Sequence, residues 1–253
     1  MSTLTLDDIG TIGTLKTLDK LDTIMHTHVA EKSKNDNDDP IINVITRTSN
    51  RPNDFKKNRE WLLNQTYKNV RHIVSCDDKD SLGYVKEHGY DVLVEIDREE
   101  LMARGRSPDP KTGSYSLHNL YMNECHKYVT DGWILYVDDD DRFYTLDALQ
   151  QIVDAIKSVD VDTIVYWQIC IRSYAIIPII IDEFNPPRMR QISSQCFAFH
   201  HKYKDAAKWD DWKCGDFRFV SKLHSIIKKH VFIKKPLVFT PRDNGGNRKD
   251  NNL

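Results

Sequence analysis

Four consecutive aspartates, Asp138 to Asp141, follow the apolar run Trp133-Ile-Leu-Tyr-Val137. Adjacent carboxylates repel one another, and at the end of a buried strand they sit close to a low-dielectric wall that resists ionisation. A hard divalent cation with oxygen ligands relieves that repulsion. Mg2+ or Mn2+ usually takes one or two carboxylates and completes its shell with water and substrate phosphate, so the run points to a diphosphate-bearing substrate. In isolation such a run also suits a solvated loop ahead of a helix. Its place after a buried strand favours the metal.

The elements that position this run alternate. Ile41–Ile45, Val70–Val74, Asp91–Ile96 and Trp133–Val137 read as strands, and Asn53–Gln65 as a helix. Leu117, Leu120, Tyr121, Cys125, Tyr128 and Val129 recur at helical spacing. This order predicts right-handed crossovers and an α/β fold with a mostly parallel central sheet, helices on both faces. Ligands in such sheets bind beyond the carboxyl ends of the strands. A helix at Leu146–Ile156 then leads to a smaller, antiparallel second half: strands at Thr163–Ile171, Ser173–Ile181 and Gln195–Phe199, a helix around Phe219–Ile227, and a strand near Val231–Phe239. Residues 1 to 40 are different in texture. Their apolar side chains recur every third residue from Leu6 to Ile24, which spirals around a helix instead of lining one face. They read as an extension and linker, flexible or oligomerising, ahead of a domain at 41–253.

Composition narrows the possibilities. The chain has 253 residues, 40% hydrophobic and 29% charged, enough to bury a core. Lys plus Arg number 36 against 38 for Asp plus Glu, which argues against a dedicated nucleic-acid binder. No apolar run approaches the about 18 residues of a spanning helix, and no basic-then-apolar start reads as a secretory signal, so a soluble cytoplasmic protein is expected. Five scattered cysteines without a CxxC pair predict reduced thiols and no zinc site.

The ordered segments Thr46-Arg-Thr-Ser-Asn-Arg-Pro52, Asn64-Gln-Thr-Tyr67, His72-Ile-Val-Ser-Cys-Asp-Asp78, Leu117-His-Asn-Leu-Tyr-Met-Asn-Glu124, Gly132 to Phe143 and Cys214-Gly-Asp-Phe-Arg-Phe219 resemble the nucleotide-sugar glycosyltransferases of the GT-A fold, family 2 type. The resemblance spans about residues 41 to 225. It implies transfer of a sugar from a nucleotide diphosphate, with UDP expected, to a glycan or other hydroxyl acceptor, aided by Mn2+ or Mg2+. The family's DXD motif falls on Asp138 and Asp140, with Asp140 the principal metal ligand and Asp138 at the donor ribose or the metal's water shell. Asp139 lies between them, and the register is open by one residue.

The same resemblance puts Asp77 and Asp78 at the base or ribose, where an ionised carboxylate can only accept; an Asx turn is the structural alternative. Thr46 and Arg47 would flank the uridine, while Arg51-Pro52 reads as the start of a helix. Arg104 and Arg106, and the helix carrying Asn119 and Asn123, would lie against the nucleotide. The catalytic base, in the family an Asp in an ED-like pair at a helix start, maps to Asp216. The preceding residue is Gly215, so the Glu is absent, and Asp210 and Asp211 stand as alternatives. Trp209 and Trp212 offer ring faces to an acceptor or belong to the core. Arg242 and Arg248, around Gly245-Gly246, would close on the diphosphate or fray. Two other classes share these features: a metal-dependent nucleotidyltransferase, and a non-enzymatic calcium- or carbohydrate-binding module.

Overall fold

Strands with near-continuous apolar runs need cover on both faces, and the chain supplies it. In the computed structural model the described residues are 39–103, 116–172, 175–179 and 187–241. The expectations for the N-terminal extension, Arg104, Arg106, Arg242 and Arg248 lie outside them.

The first half runs β1 (Ile42–Arg47), α1 (Pro52–Leu63), β2 (Val70–Cys76), α2 (Lys79–His88), β3 (Val92–Glu95) and α3 (Arg98–Ala103). After a 3-10 turn at Leu117–Asn119 come α4 (Leu120–His126) and β4 (Trp133–Tyr136). β3, β2, β1 and β4 are neighbours in that order and all parallel. Successive residues of a strand point to opposite faces. On β2, Val74 joins Phe55 of α1 and Tyr84 and Val85 of α2 in one cluster. Its neighbour Ile73 belongs to the main core with Tyr121, Met122 and Cys125 of α4.

The second half follows as β5 (Arg142–Phe143), α5 (Ala148–Lys157), β6 (Thr163–Ile171), β7 (Ile176–Ile177), β8 (Phe197–His200), α6 (Gly215–Ile226) and β9 (Lys229–Thr240). The sheet continues from β4 through β8, β6 and β9 to β5, with β7 on β6. These pairings are antiparallel except that of β6 with β9, which is parallel; the chain reaches β9 from β8 through α6. A mixed α/β fold with a mostly parallel first half is therefore present as expected.

Three elements differ from expectation. Within Ser173–Ile181 only Ile176 and Ile177 pair as strand; Pro178 has no N–H to continue the ladder, and residues 173–174 and 180–181 are outside the description. Gln195 is not in a strand but in a 3-10 turn, Ser194–Cys196, closed by reciprocal capping between Ser193 and Cys196. The helix expected from Leu117 to Val129 begins as 3-10 and ends at His126. Apolar residues at i and i+3 fit either helix type, so the pattern alone did not separate them.

Candidate active site

The chain visits β2 and β3 on one side of β1 and then returns to β4 on the other. That reversal opens a crevice between the carboxyl ends of β1 and β4, the usual ligand position in such sheets. Register brings the two ends level: Ile45 pairs with Tyr136, and Val137 N–H donates to Ile45 O at 3.1 Å. Two residues beyond that pair stand Arg47, the last residue of β1, and Asp138, just past the end of β4.

Arg47 grips Asp138 through both prongs, Nε to Oδ1 at 2.8 Å and Nη2 to Oδ2 at 2.8 Å. Its third nitrogen, Nη1, donates to Asn119 Oδ1 at 3.0 Å. Thr46 is fully buried and donates to Val137 O at 2.7 Å, so it braces the backbone just ahead of Asp138. Behind Thr46 stands His72, 3.0 Å away through Nε2, with Arg59 Nη1 at 3.0 Å from Nδ1. A guanidinium only donates, so His72 Nδ1 accepts and Nε2–H points at Thr46. Burial and Arg59 hold this imidazole's pKa well below its usual range, keeping it neutral.

The acidic run turns on itself. Asn58 of α1 donates to both Asp138 O and Asp141 O at 2.9 Å, closing the loop at its two ends. Asp139 and Asp141 are 3% and 2% exposed, so they face inward. Burial pushes the Asp139 carboxyl up to about 7 despite Arg51, and neighbouring Asp140 adds to the rise. Burial with Asp140 and Asp138 raises Asp141 as well. Arg51 does more than begin a helix: its Nη1 lies 2.9 Å from Asp139 Oδ1 and 2.9 Å from Asp140 Oδ2. Gln195 Nε2, turned inward by its 3-10 position, donates to Asp141 Oδ2 and, at 3.3 Å, to Asp138 Oδ2.

Two guanidiniums thus face four carboxylates, and two of the four have raised pKa values. Full ionisation of all four would leave buried negative charge that two guanidiniums do not balance; a hard cation would relieve it, and Asp138 and Asp140 are oxygen ligands of the right kind for one that completes its shell with phosphate and water. Among the described residues no group of three or more His, Cys, Asp or Glu forms a cage on its own. A cation here would depend on its substrate for the rest of its shell.

Across the crevice lies the loop leading into α6. Asp216, in the first turn of α6, is electrostatically coupled to Arg47 and Asp138, and burial raises its pKa. Burial pushes the Cys196 thiol up, and Asp216 and Asp141 add to the rise. Asp210 is consumed elsewhere: Arg218 grips both of its oxygens at 2.5 Å, and Trp212 N–H adds a bond at 3.1 Å. Asp211 is 9% exposed, and its backbone carbonyl accepts from Ser116 N at 2.6 Å.

Gly215, the residue before Asp216, sits in a tight place. A Cβ there would fall 2.5 Å from Asn119 Nδ2 and 3.2 Å from Asp210 O, so a larger residue is excluded unless Asn119 withdraws. Asn119 uses that Nδ2 to donate to Trp212 O at 3.0 Å. Asn123 makes a reciprocal pair with the Trp209 backbone, donating to its O at 2.8 Å and accepting from its N at 3.0 Å. Both asparagines thus hold the backbone of the same loop through their side-chain amides.

Trp209 is core. It is 2% exposed, stacked on Phe219 at 4.6 Å, and donates through Nε1 to Tyr136 Oη at 3.3 Å. It offers no ring face to an acceptor. Trp212 is half-buried, with the Arg218 guanidinium 5.7 Å from its ring centre. Asp78 is the N-cap of α2, bonded to Ser81 N at 2.7 Å and Ser81 Oγ at 2.6 Å, which accounts for the carboxylate structurally. Asp77 is aimed otherwise. Its Oδ2 accepts from Tyr121 Oη at 2.6 Å and Arg98 Nη1 at 3.1 Å, while buried Oδ1 has no hydrogen-bond partner among the described residues.

Sequence reasoning passed over Asn58, Gln195 and His118. His118 stands in the field of Arg47, Asp138, Arg51 and Arg98, and burial with those arginines pushes its pKa down to about 3. Only its place one residue before Asn119 hinted at this.

With this geometry in place, solved structures give a consistent match. TarS from S. aureus superposes with a TM-score of 0.57 at 15% identity, over 79% of this chain and 36% of that one. TarS 1-349 in complex with UDP-GlcNAc gives 0.56 at 13%, over 84% and 61%. The mannosyltransferase PcManGT from Pyrobaculum calidifontis, in complex with GDP-Man and Mn2+, gives 0.56 at 12%, over 92% and 66%. The fold is a Rossmann-like glycosyltransferase fold. This chain spans between about a third and two thirds of the length of these neighbours. No protein-family model and no curated protein sequence matches it. Among the described residues no helix is long and apolar enough to cross a membrane.

Proposed function

We propose that the chain is a GT-A glycosyltransferase of the family 2 type that moves a sugar, with inversion, from a nucleotide-diphosphate donor to a hydroxyl acceptor. One observation carries this: the Arg47–Asp138 pair at the β1/β4 reversal, whose Arg47 is held by Asn119, the residue packed against Gly215 immediately before Asp216. The neighbours' own ligands, UDP-GlcNAc in one and GDP-Man with Mn2+ in another, support the donor class. UDP is the expected nucleotide here.

Asp77 Oδ1, a buried acceptor with no donor among the described residues, suits the N–H of a nucleobase. Asp140, with Asp138, would hold Mn2+ or Mg2+, which supplies charge neutralisation for the departing diphosphate. Arg47, fixed by Asp138 and Asn119, keeps positive charge beside that diphosphate. Asp216 takes the acceptor proton as the sugar carbon is attacked, and its raised pKa brings it closer to a working general base. No covalent sugar–enzyme step is needed. Titrating UDP- and GDP-sugars with and without Mn2+ tests the reading. Asp140→Ala is expected to abolish metal-dependent donor binding; a protein that binds no such donor in any metal would refute it.

A further inference from the structure

Asp139 and Asp140 converge on one nitrogen. Arg51 Nη1 is 2.9 Å from an oxygen of each, and the Arg51 side chain is 11% exposed. Arg47 behaves differently, spending two nitrogens on the single carboxylate of Asp138. One positive centre shared by two carboxylates from adjacent residues is the arrangement a small cation takes, and one of those carboxylates is Asp140.

The two arginines are also anchored differently. Arg47 belongs to β1, paired on both sides, and its side chain is held a third time by Asn119. Arg51 precedes α1 and is fixed through its backbone, whose N–H donates to Tyr84 Oη at 3.3 Å. Its long side chain can therefore change rotamer without disturbing the strand ends.

We propose that Arg51 is the built-in counter-charge of the acidic run and competes with the divalent cation for Asp140, so that it sets the cation's affinity and, once displaced, is free to meet the donor's diphosphate. This rests on the metal-dependent reading above. Two positive centres on one carboxylate repel, and a guanidinium released beside a newly bound pyrophosphate finds a bidentate partner. Cation and donor would then reinforce one another through a residue that ligates neither in its resting position.

The test is Mn2+ titration of the full chain by electron paramagnetic resonance, with Mn2+ alone and with saturating UDP or GDP. Arg51→Gln is expected to bind Mn2+ about tenfold tighter than wild type without nucleotide. With nucleotide the advantage shrinks, because the contact to the diphosphate is lost too. Arg51→Lys keeps the charge on a freely rotating ammonium and falls between. Thermal midpoints are read alongside, so whichever variant folds carries the comparison. Wild-type binding left unchanged by the folded variants overturns the role of Arg51 alone. Failure of wild type and variants to bind Mn2+, with or without UDP or GDP, overturns the metal reading as well.

Discussion

The two walls of the crevice are built by different means. On the β1/β4 wall, strand register delivers Arg47 and Asp138, and the side chains of Thr46, Asn58 and Gln195 only trim their placement. On the opposite wall the residues from Trp209 to Asp216 belong to none of the strands β1 to β9; among the described residues they contribute a single bridge at Trp212. Asn119 and Asn123 hold that loop through amide bonds to Trp212 and Trp209, and His126 extends the support, its Nδ1 3.1 Å from Lys204 O and its Nε2 2.7 Å from Tyr136 Oη. A ladder resists any single substitution, whereas a loop hung on buried amides depends on each of them. The β1/β4 wall, the donor side on the proposed function, should therefore be robust, and the opposite wall brittle.

The sharpest break comes at Asp216. Asp216→Asn is expected to lower turnover about 10²–10⁴-fold while donor titrations stay at wild-type affinity. Burial raises this carboxyl, so the acid limb of the wild-type rate profile should lie above the ordinary 3.8 and vanish in the variant. An active Asn variant would remove Asp216 as the base.

Next in size is an acid sensitivity of the brittle wall. Burial holds His126 down to about 4, from an ordinary 6.5, so the folded protein keeps it neutral where the unfolded chain would take a proton. Its contribution is intact above pH 6.5 and is lost as pH falls toward 4, worth up to about 3 kcal/mol over that span. Urea midpoints of wild type and His126→Gln at pH 7 and pH 4.5 isolate it; the variant should lose less stability on acidification.

Asn123→Ala should cost about 1–3 kcal/mol, since it strands both polar groups of Trp209, and should depress kcat more than donor affinity. The smallest effect is expected of Gln195→Ala on the ladder-held wall: about 1 kcal/mol, and weaker donor binding with kcat largely kept. Combining the two sharpens the comparison. Independent walls predict additive losses within about 0.5 kcal/mol, and a large coupling would show that they act as one.

The same contrast explains what could be read in advance. Strands β1 to β4 announce themselves by apolar runs, and an acidic cluster at the end of one is visible as such, so the crevice and Asp138 to Asp141 were legible. For Asp78 the sequence offered a nucleotide contact or an Asx turn leaving the strand; in the structure its side chain caps α2. What the spacing could not convey was side-chain direction across long sequence separations. Asn119 and Asn123 do share a face, yet their partners are backbone groups about ninety residues away. Trp209 has the composition of a binding aromatic and the burial of a core one. Arg51 resembled a helix start because it is one, and its guanidinium has a second occupation. Gln195 was hidden by a strand pattern that a capped 3-10 turn interrupts.

The close approach of Gly215 to Asn119 reaches beyond this molecule. The two positions compete for one small volume, so evolution should treat them as a single choice. Lineages with a bulkier residue before the helix-start aspartate should carry a shorter one in place of the asparagine, and would need another anchor for their Arg47.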